Sequence, residues 1–231
     1  MDKDKMEDKI IILNLSRSAT QSTKKYIHNL YKANGVDLTL SDYAPVNKLE
    51  NSVKNKHNSI FNDEEYFLKN KDANIIGDDP YCFMYEYLDK HLTNAKFILI
   101  TRNSFKWSDS FYDFVRANGA MSSAAYNNFN KYLDGVHVFD RSLRTKADKE
   151  HLPQVYRKHT SLIKSYFKDK NNFIHLEIDS KNLEKSIANF LGFEYNGIVF
   201  PKHDPYKVFI DQRIADTRWL LDWKFGEDDP T

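Results

Sequence analysis

The sequence predicts one α/β domain spanning residues 1–231, with three layers in which helices flank a mostly parallel central sheet. Four short apolar runs have the length of buried strands, at residues 10–15, 74–77, 96–101 and 173–178. Helical patterns separate these runs, as a parallel sheet covered on both faces requires. A chain of 231 residues suits a single domain, and no linker rich in proline, glycine or serine divides it.

The predicted helices show apolar residues three or four positions apart. One follows the first strand at residues 23–31, and another starts near Pro80. The longest pattern covers residues 152–167, and the last covers 183–191, ending at Gly192. Proline is favoured in a first helical turn and glycine directly after a last one, so both positions support these helices.

Composition excludes several classes of protein. The net charge is +1, with charges of both signs mixed along the chain, so neither nucleic acid nor a membrane surface is an expected partner. A single cysteine, Cys82, rules out a disulfide within the chain and a cysteine-based zinc site. The histidines lack metal-ligand spacing, so no metal is expected, and His159 on an apolar stripe is interpreted as a core residue. No apolar run approaches a membrane span, and we expect a cytoplasmic protein.

A strand that runs directly into a helix forms the first candidate site. Residues 16–22 read Ser-Arg-Ser-Ala-Thr-Gln-Ser between the first strand and its helix. Backbone N–H groups at a helix start suit a phosphate, and Arg17 adds a full charge. The alternative is that these hydroxyl residues only cap the helix. With negative φ expected at Ala19, the loop is predicted to avoid the left-handed region.

The second candidate site follows the strand at 96–101. Arg102 ends this strand, and Ser110 lies eight residues later in a predicted helix. Arginine can bind a phosphate with two parallel hydrogen bonds, and a serine in the next helix can add a third. The alternative is that Arg102 forms a surface ion pair.

Together, these segments resemble the two phosphate-binding motifs of sulfotransferases. Residues 15–22 are similar to the loop typically written P-[KR]-[ST]-G-T-[TS], and residues 95–103 with Ser110 are similar to the motif for the 3'-phosphate. The resemblance implies a P-loop NTPase-like sulfotransferase fold and the co-substrate 3'-phosphoadenosine 5'-phosphosulfate (PAPS). It implies PAPS binding by the following residues: Arg17, Ser18, Ala19, Thr20, Gln21, Ser22, Arg102 and Ser110. Three positions depart from the loop pattern, Ser16 for proline, Ala19 for glycine and Gln21 for threonine, and the family's carboxyl-terminal segment is not found.

Transfer of a sulfuryl group to a hydroxyl or amine requires positive charge at the bridging oxygen and a base for the acceptor proton. Arg17 is predicted to supply the charge. Asp78, two residues before Pro80, is the predicted base, and Asp79 is the second candidate. The alternative is that an aspartate here caps the following helix.

The acceptor is a small molecule or carbohydrate that the sequence does not specify. Residues 37–62 and 116–150 lack periodicity and are predicted to be loops or insertions that shape its site. Two other functions remain open. The chain could be a small-molecule kinase, although G-x-x-x-x-G-K-[ST] is absent, or a non-catalytic nucleotide-binding protein of the same fold.

Overall fold

The structure is a computed structural model that describes residues 9–40, 72–77, 81–92, 94–118 and 146–201. Its strands are β1 (Ile10–Ile12), β2 (Ile75–Gly77), β3 (Lys96–Thr101) and β4 (Phe173–Glu177). Its α-helices are α1 (Thr20–Ala33), α2 (Tyr85–His91), α3 (Ser104–Asn118), α4 (Lys146–Tyr166) and α5 (Leu183–Leu191). A 3₁₀ turn, Tyr81–Phe83, precedes α2.

The described strands form a parallel sheet in the order β2-β1-β3-β4. This confirms the predicted fold class. The chain passes from β1 to β2 on one side and later returns to add β3 on the other side of β1. The strand order therefore reverses between β1 and β3. In open α/β sheets, ligands bind beyond the carboxyl ends of the strands at such a point.

The side chains of β1 alternate between two cores. Ile10 and Ile12 face a cluster that contains residues of α1 and α5. Ile11 and Leu13 face a cluster that contains residues of α2 and α4. Because both faces are covered, the three-layer architecture is present. The exception is β4, whose residues are partly buried or, at Glu177, exposed.

Helix α4 begins earlier than its apolar pattern predicted, at Lys146 instead of Leu152. The first turns of α4 are polar, and contacts with α3 support them. Pro153 lies inside α4 and lacks the N–H that would bond the carbonyl of Lys149. Ser108 Oγ donates to that carbonyl instead, at 3.1 Å, and Lys149 Nζ lies 2.7 Å from Asp109 Oδ1.

The predicted loop region at 116–150 is partly helical, because residues 116–118 end α3 and residues 146–150 begin α4. Residues 41–62 and 119–145 lie outside the described residues. In the part of the chain that the structure describes, no helix is long and apolar enough to cross a membrane.

Candidate active site

The loop between β1 and α1 has a strained backbone. Arg17 and Ala19 have φ values of 70° and 64°, while Ser18 between them keeps a negative φ. The expectation of a negative φ at Ala19 was wrong, because contacts to the rest of the protein outweigh the preference of an alanine. Each such residue costs roughly 1–2 kcal/mol. Alternating backbone handedness of this kind can turn N–H groups toward an anion. The N–H of Ser18 already donates to the carbonyl of Leu15 at 2.9 Å, so it is not part of such a set.

The start of α1 carries no capping side chain. Its N-cap residue is Ala19, which makes no side-chain cap hydrogen bond. The interpretation that residues 16–22 only cap the helix is therefore wrong, because the residue at the N-cap position, Ala19, has no side chain that can cap. Thr20 follows as the first helical residue, and its Oγ1 is buried without a hydrogen-bond partner among the described residues. A buried hydroxyl without a partner is costly, so Thr20 suits a ligand oxygen at the helix start.

Asn14 fixes the loop to the sheet. Its Nδ2 donates to the carbonyl of Ser18 at 2.8 Å, and its Oδ1 accepts from the N–H of Ile100 at 2.7 Å. The Asn14 side chain is fully buried. Asn14 was not predicted as a site residue, although a single polar residue within the apolar run at 10–15 was a signal that could have identified it.

The two candidate phosphate-binding segments are in direct contact. Arg17 Nε donates to Ser110 Oγ at 3.3 Å, and Arg102 Nη1 lies 3.4 Å from the carbonyl oxygen of Arg17. Trp107 Nε1 also donates to the carbonyl of Ser16 at 2.9 Å. The chain after β1 and the chain after β3 therefore meet at the point where the strand order reverses. Arg102 turns toward the first loop, with its side chain half-buried, as the phosphate-binding interpretation requires.

Helix α4 contributes a tyrosine that sequence reasoning did not assign to the site. The hydroxyl oxygen of Tyr156 accepts a hydrogen bond from the N–H of Arg102 at 2.9 Å and lies 3.4 Å from Ser18 Oγ. Burial raises the pKa of Tyr156 above its ordinary value, against the opposing effects of Ser18 and Arg102. The phenol therefore stays protonated and can donate as well as accept.

His159, one helical turn further along α4, is a core residue, as predicted. It is 1% exposed, and its Nε2 donates to the carbonyl of Leu13 at 3.1 Å. Burial lowers the pKa of His159 to about 4, and the hydrogen bond to Leu13 opposes this only in part. The imidazole is thus neutral at physiological pH. Its hydrogen bond to Leu13 supports the chain that leads into the loop.

The remaining predicted residues fall into two groups. Gln21 and Ser22 lie in the first turn of α1, next to Thr20. Asp78 and Asp79 lie outside the described residues, so their role as base stays a prediction. Gly77, which precedes them, ends β2 beside α1. A Cβ at Gly77 would lie 2.9 Å from Ile12 Cβ and 3.2 Å from Thr20 Cγ2.

No group of three or more metal-ligating His, Cys, Asp or Glu side chains occurs among the residues that the structure describes. The described site contains the charges of Arg17 and Arg102, the start of α1 and the hydroxyls of Ser18, Thr20 and Ser110.

Comparison with known proteins bears on the family of the chain. Among solved structures, the chain is similar to a sulfotransferase from Alicyclobacillus acidocaldarius, with 10% identity over 93% of this chain and 96% of that one, and a TM-score of 0.44. This likeness is too remote to bear on the activity. No curated protein matches the sequence. The family model described as a sulfotransferase domain matches residues 9–208, which is most of the chain. The chain therefore belongs to the sulfotransferase domain family.

Proposed function

We propose that the protein is a PAPS-dependent sulfotransferase that transfers a sulfuryl group to a hydroxyl or amine of a small-molecule or carbohydrate acceptor. One observation carries this proposal. Two segments suited to anions, one after β1 and one after β3, meet where the strand order reverses, with Arg17 Nε 3.3 Å from Ser110 Oγ. A ligand with phosphate groups at two separated positions is the chemistry that fits two adjoining anion sites.

The first segment is assigned to the 5'-phosphosulfate. The strained backbone at Arg17 and Ala19, the uncapped start of α1 and the buried hydroxyl of Thr20 all favour a negatively charged group. Gln21 and Ser22 extend the set with polar side chains in the first helical turn. Arg17 is half-buried and can place its charge near the oxygen that leaves the sulfur atom.

The second segment is assigned to the 3'-phosphate. Arg102 is half-buried at the end of β3, and Ser110 lies on α3. Arg102 Nη1 donates to the carbonyl of Arg17 at 3.4 Å, which is a long hydrogen bond. A phosphate oxygen can therefore take the place of this carbonyl as the acceptor. Arginine also retains guanidinium donors for such a ligand.

PAPS supplies the activated sulfuryl group, and the chain supplies position, charge and a base. Asp78 remains the proposed base and Asp79 the second candidate, since both follow the end of β2, whose Gly77 adjoins Thr20. Asp78→Asn should lower kcat by at least about a hundredfold, as loss of general-base catalysis does. Asp79→Asn is measured in parallel as the test of the second candidate, and a near-normal kcat in Asp78→Asn would remove Asp78 from the mechanism.

Binding of adenosine 3',5'-bisphosphate (PAP), the product that PAPS leaves, tests the proposal directly. Thermal unfolding of the full chain is measured with PAP, with AMP and with ATP–Mg²⁺ at equal concentrations. PAP should raise Tm most, because a ligand that binds only the folded state stabilises it, and AMP lacks the 3'-phosphate. A larger shift with ATP–Mg²⁺ would favour the kinase alternative, and no shift with PAP would contradict the proposal.

Turnover requires a second assay. Release of PAP from PAPS is followed by chromatography in the presence of phenols, sugars, amino sugars and small amines. PAP release that depends on one acceptor class would identify the substrate. PAP binding without transfer to any of these acceptors would instead favour the non-catalytic alternative.

The acceptor site is proposed to involve residues 37–62 and 116–150, which flank the two anion sites in the sequence.

We also propose that the protein acts in the cytoplasm without a metal. Addition of EDTA should then leave PAP release unchanged, and a loss of activity that Mg²⁺ restores would contradict a metal-free reaction.

A further inference from the structure

Tyr156 lies between the two anion-binding segments and contacts both. Its hydroxyl oxygen is 2.9 Å from the backbone nitrogen of Arg102 and 3.4 Å from Ser18 Oγ. The ring is buried, with its centroid 4.7 Å from that of Trp107. Trp107 in turn donates to the carbonyl of Ser16. The aromatic body of Tyr156 is thus fixed by packing, while its polar end reaches the loop.

The direction of these hydrogen bonds follows from their chemistry. A backbone N–H only donates, so the phenol oxygen accepts from Arg102. The phenol retains its own proton, and rotation of the hydroxyl lets it donate or accept a hydrogen bond. With no ligand, Ser18 Oγ donates to the Tyr156 hydroxyl at 3.4 Å. When an anion accepts the proton of Ser18, the phenol can donate to Ser18 in its place.

The resulting chain runs from the N–H of Arg102 through the Tyr156 hydroxyl to the Ser18 hydroxyl and then to the anion. Each donor in such a chain polarises the next, so the bonds strengthen one another. The chain also connects the backbone at the end of β3 with a loop 84 residues earlier in the sequence, since 102 − 18 = 84.

We propose that Tyr156 is a positioning residue that joins the 3'-phosphate segment and the 5'-phosphosulfate loop into one preorganised binding unit. This inference rests on the proposed function. Tyr156 acts through Ser18 and Arg102 and need not contact the ligand itself. Removing its hydroxyl breaks the chain at the centre and leaves the partly buried N–H of Arg102 without its partner.

A double-mutant cycle tests the proposal. PAP affinity is measured by calorimetry for the wild type, Ser18→Ala, Tyr156→Phe and the double variant. Each single substitution should weaken binding roughly tenfold, and the double variant should be little weaker than either, because both changes interrupt one chain. Two effects that multiply to roughly a hundredfold would show independent residues and overturn the proposal.

Tyr166→Phe is the matched control. Tyr166 lies on the same helix and donates to Asp89 Oδ2 at 3.0 Å, so its substitution also removes one phenol hydrogen bond, which is partly buried. It should lower Tm without weakening PAP binding. Equal losses of affinity in Tyr156→Phe and Tyr166→Phe would reduce the role of Tyr156 to that of any tyrosine of α4 and overturn the proposal.

A measurement on the wild type covers the case in which Tyr156→Phe does not fold. Hydrogen exchange at the Arg102 amide should slow by at least roughly tenfold when PAP binds, because the ligand strengthens the chain that begins there. An unchanged exchange rate in the presence of bound PAP would overturn the inference while leaving the proposed function intact. Failure of the wild type to bind PAP would overturn both.

Discussion

Arg17 and Ser110 are 93 positions apart in the sequence, yet Arg17 Nε lies 3.3 Å from Ser110 Oγ. The contact joins the loop after β1 to helix α3. It also gives the hydroxyl of Ser110 a defined direction, because the oxygen accepts from the guanidinium and its proton is left to donate. A ligand phosphate between the two segments would therefore meet two oriented donors.

Substitution of Ser110 should affect binding and spare stability. In Ser110→Ala, PAP affinity is expected to fall roughly tenfold while Tm changes little, because Ser110 is only half-buried and Arg17 can turn toward water. Ser108→Ala is the matched control on the same helix, since Ser108 donates to the carbonyl of Lys149. It should lower Tm and leave affinity unchanged. Calorimetry and thermal unfolding on both variants check this, and the reverse pattern would contradict the assignment.

The hydroxyl of Thr20 should cost stability in the free protein. In Thr20→Val a buried hydroxyl without a described partner becomes a methyl group, so the free energy of unfolding should stay equal or rise. PAP affinity should fall at the same time. Thr23→Val is the control, because Thr23 Oγ1 donates to the carbonyl of Ala19 at 2.9 Å, and its loss should destabilise the protein by about 1 kcal/mol. Urea unfolding with and without PAP measures both quantities. A destabilised Thr20→Val protein would show that the hydroxyl already has a partner.

Strain at Ala19 predicts a stabilising substitution. Glycine adopts a φ of 64° without steric cost, so Ala19→Gly should raise the free energy of unfolding by about 1 kcal/mol. Ala33→Gly, at the exposed end of the same helix, should give a small loss instead. Urea unfolding compares the two variants. A loss of stability in Ala19→Gly would mean that the loop does not hold this residue in the left-handed region.

His159 should make the protein less stable as the solution becomes mildly acidic. Its folded pKa of about 4 lies below the ordinary value of 6.5, so between these values the unfolded chain binds the proton more readily. The contribution is complete above about pH 6.5 and is lost as the pH falls toward 4, by on the order of 3 kcal/mol in total. His159→Gln should be less stable at pH 7.5 but lose less between pH 7.5 and pH 5. Urea unfolding at both pH values measures this, and equal slopes in the two proteins would contradict it.

Ionised Asp89 should stabilise the protein, and this contribution should be lost only at acidic pH. Burial alone would raise its pKa, but Lys170, Asn172 and Tyr166 all donate to the carboxylate, and the net pKa is lowered. Because the folded pKa lies below the unfolded one, this contribution is present above about pH 4 and is lost as the pH falls through the folded value.

At pH 7, Asp89→Asn is expected to lose about 1–3 kcal/mol of the free energy of unfolding. Asp169→Asn is the control, because Asp169 Oδ2 lies 3.7 Å from Lys168 Nζ and both side chains are largely exposed. Its change should stay within about 0.5 kcal/mol. Urea unfolding separates the two, and similar small losses would show that the Asp89 cluster is no stronger than a surface pair.

Much of the fold followed from local patterns. The apolar runs at 10–15 and 96–101 predicted β1 and β3, and Gly192 predicted the end of α5, where it adopts a φ of 90°. Arg17 and Arg102 lie close together because residues at the carboxyl ends of neighbouring parallel strands share one edge of the sheet.

The missed residues depend on contacts that the sequence does not order. Tyr156 lies on an apolar helical stripe, and the sequence alone does not distinguish a tyrosine that binds the loop from one that only packs in the core. The polar start of α4 was missed because hydrogen bonding from Ser108, not apolar spacing, supports it. Ala19 was misjudged because Asn14, Ser18 and Trp107 tie the surrounding loop to the sheet and to α3, and these contacts outweigh the local cost.

The hydrogen bond from Ser108 to the carbonyl of Lys149, in the helix that contains Pro153, has a consequence for which segments of this domain can be replaced. Since a side chain of α3 donates to the carbonyl that Pro153 leaves without its helical partner, α3 and α4 are held together by direct contacts. We expect these contacts to keep the spacing of Tyr156 and Arg102 when the segment between residues 119 and 145 is exchanged. If residues 119–145 help to form the acceptor site, as proposed, a chimera with the corresponding segment of another sulfotransferase should alter acceptor choice while PAP affinity stays unchanged.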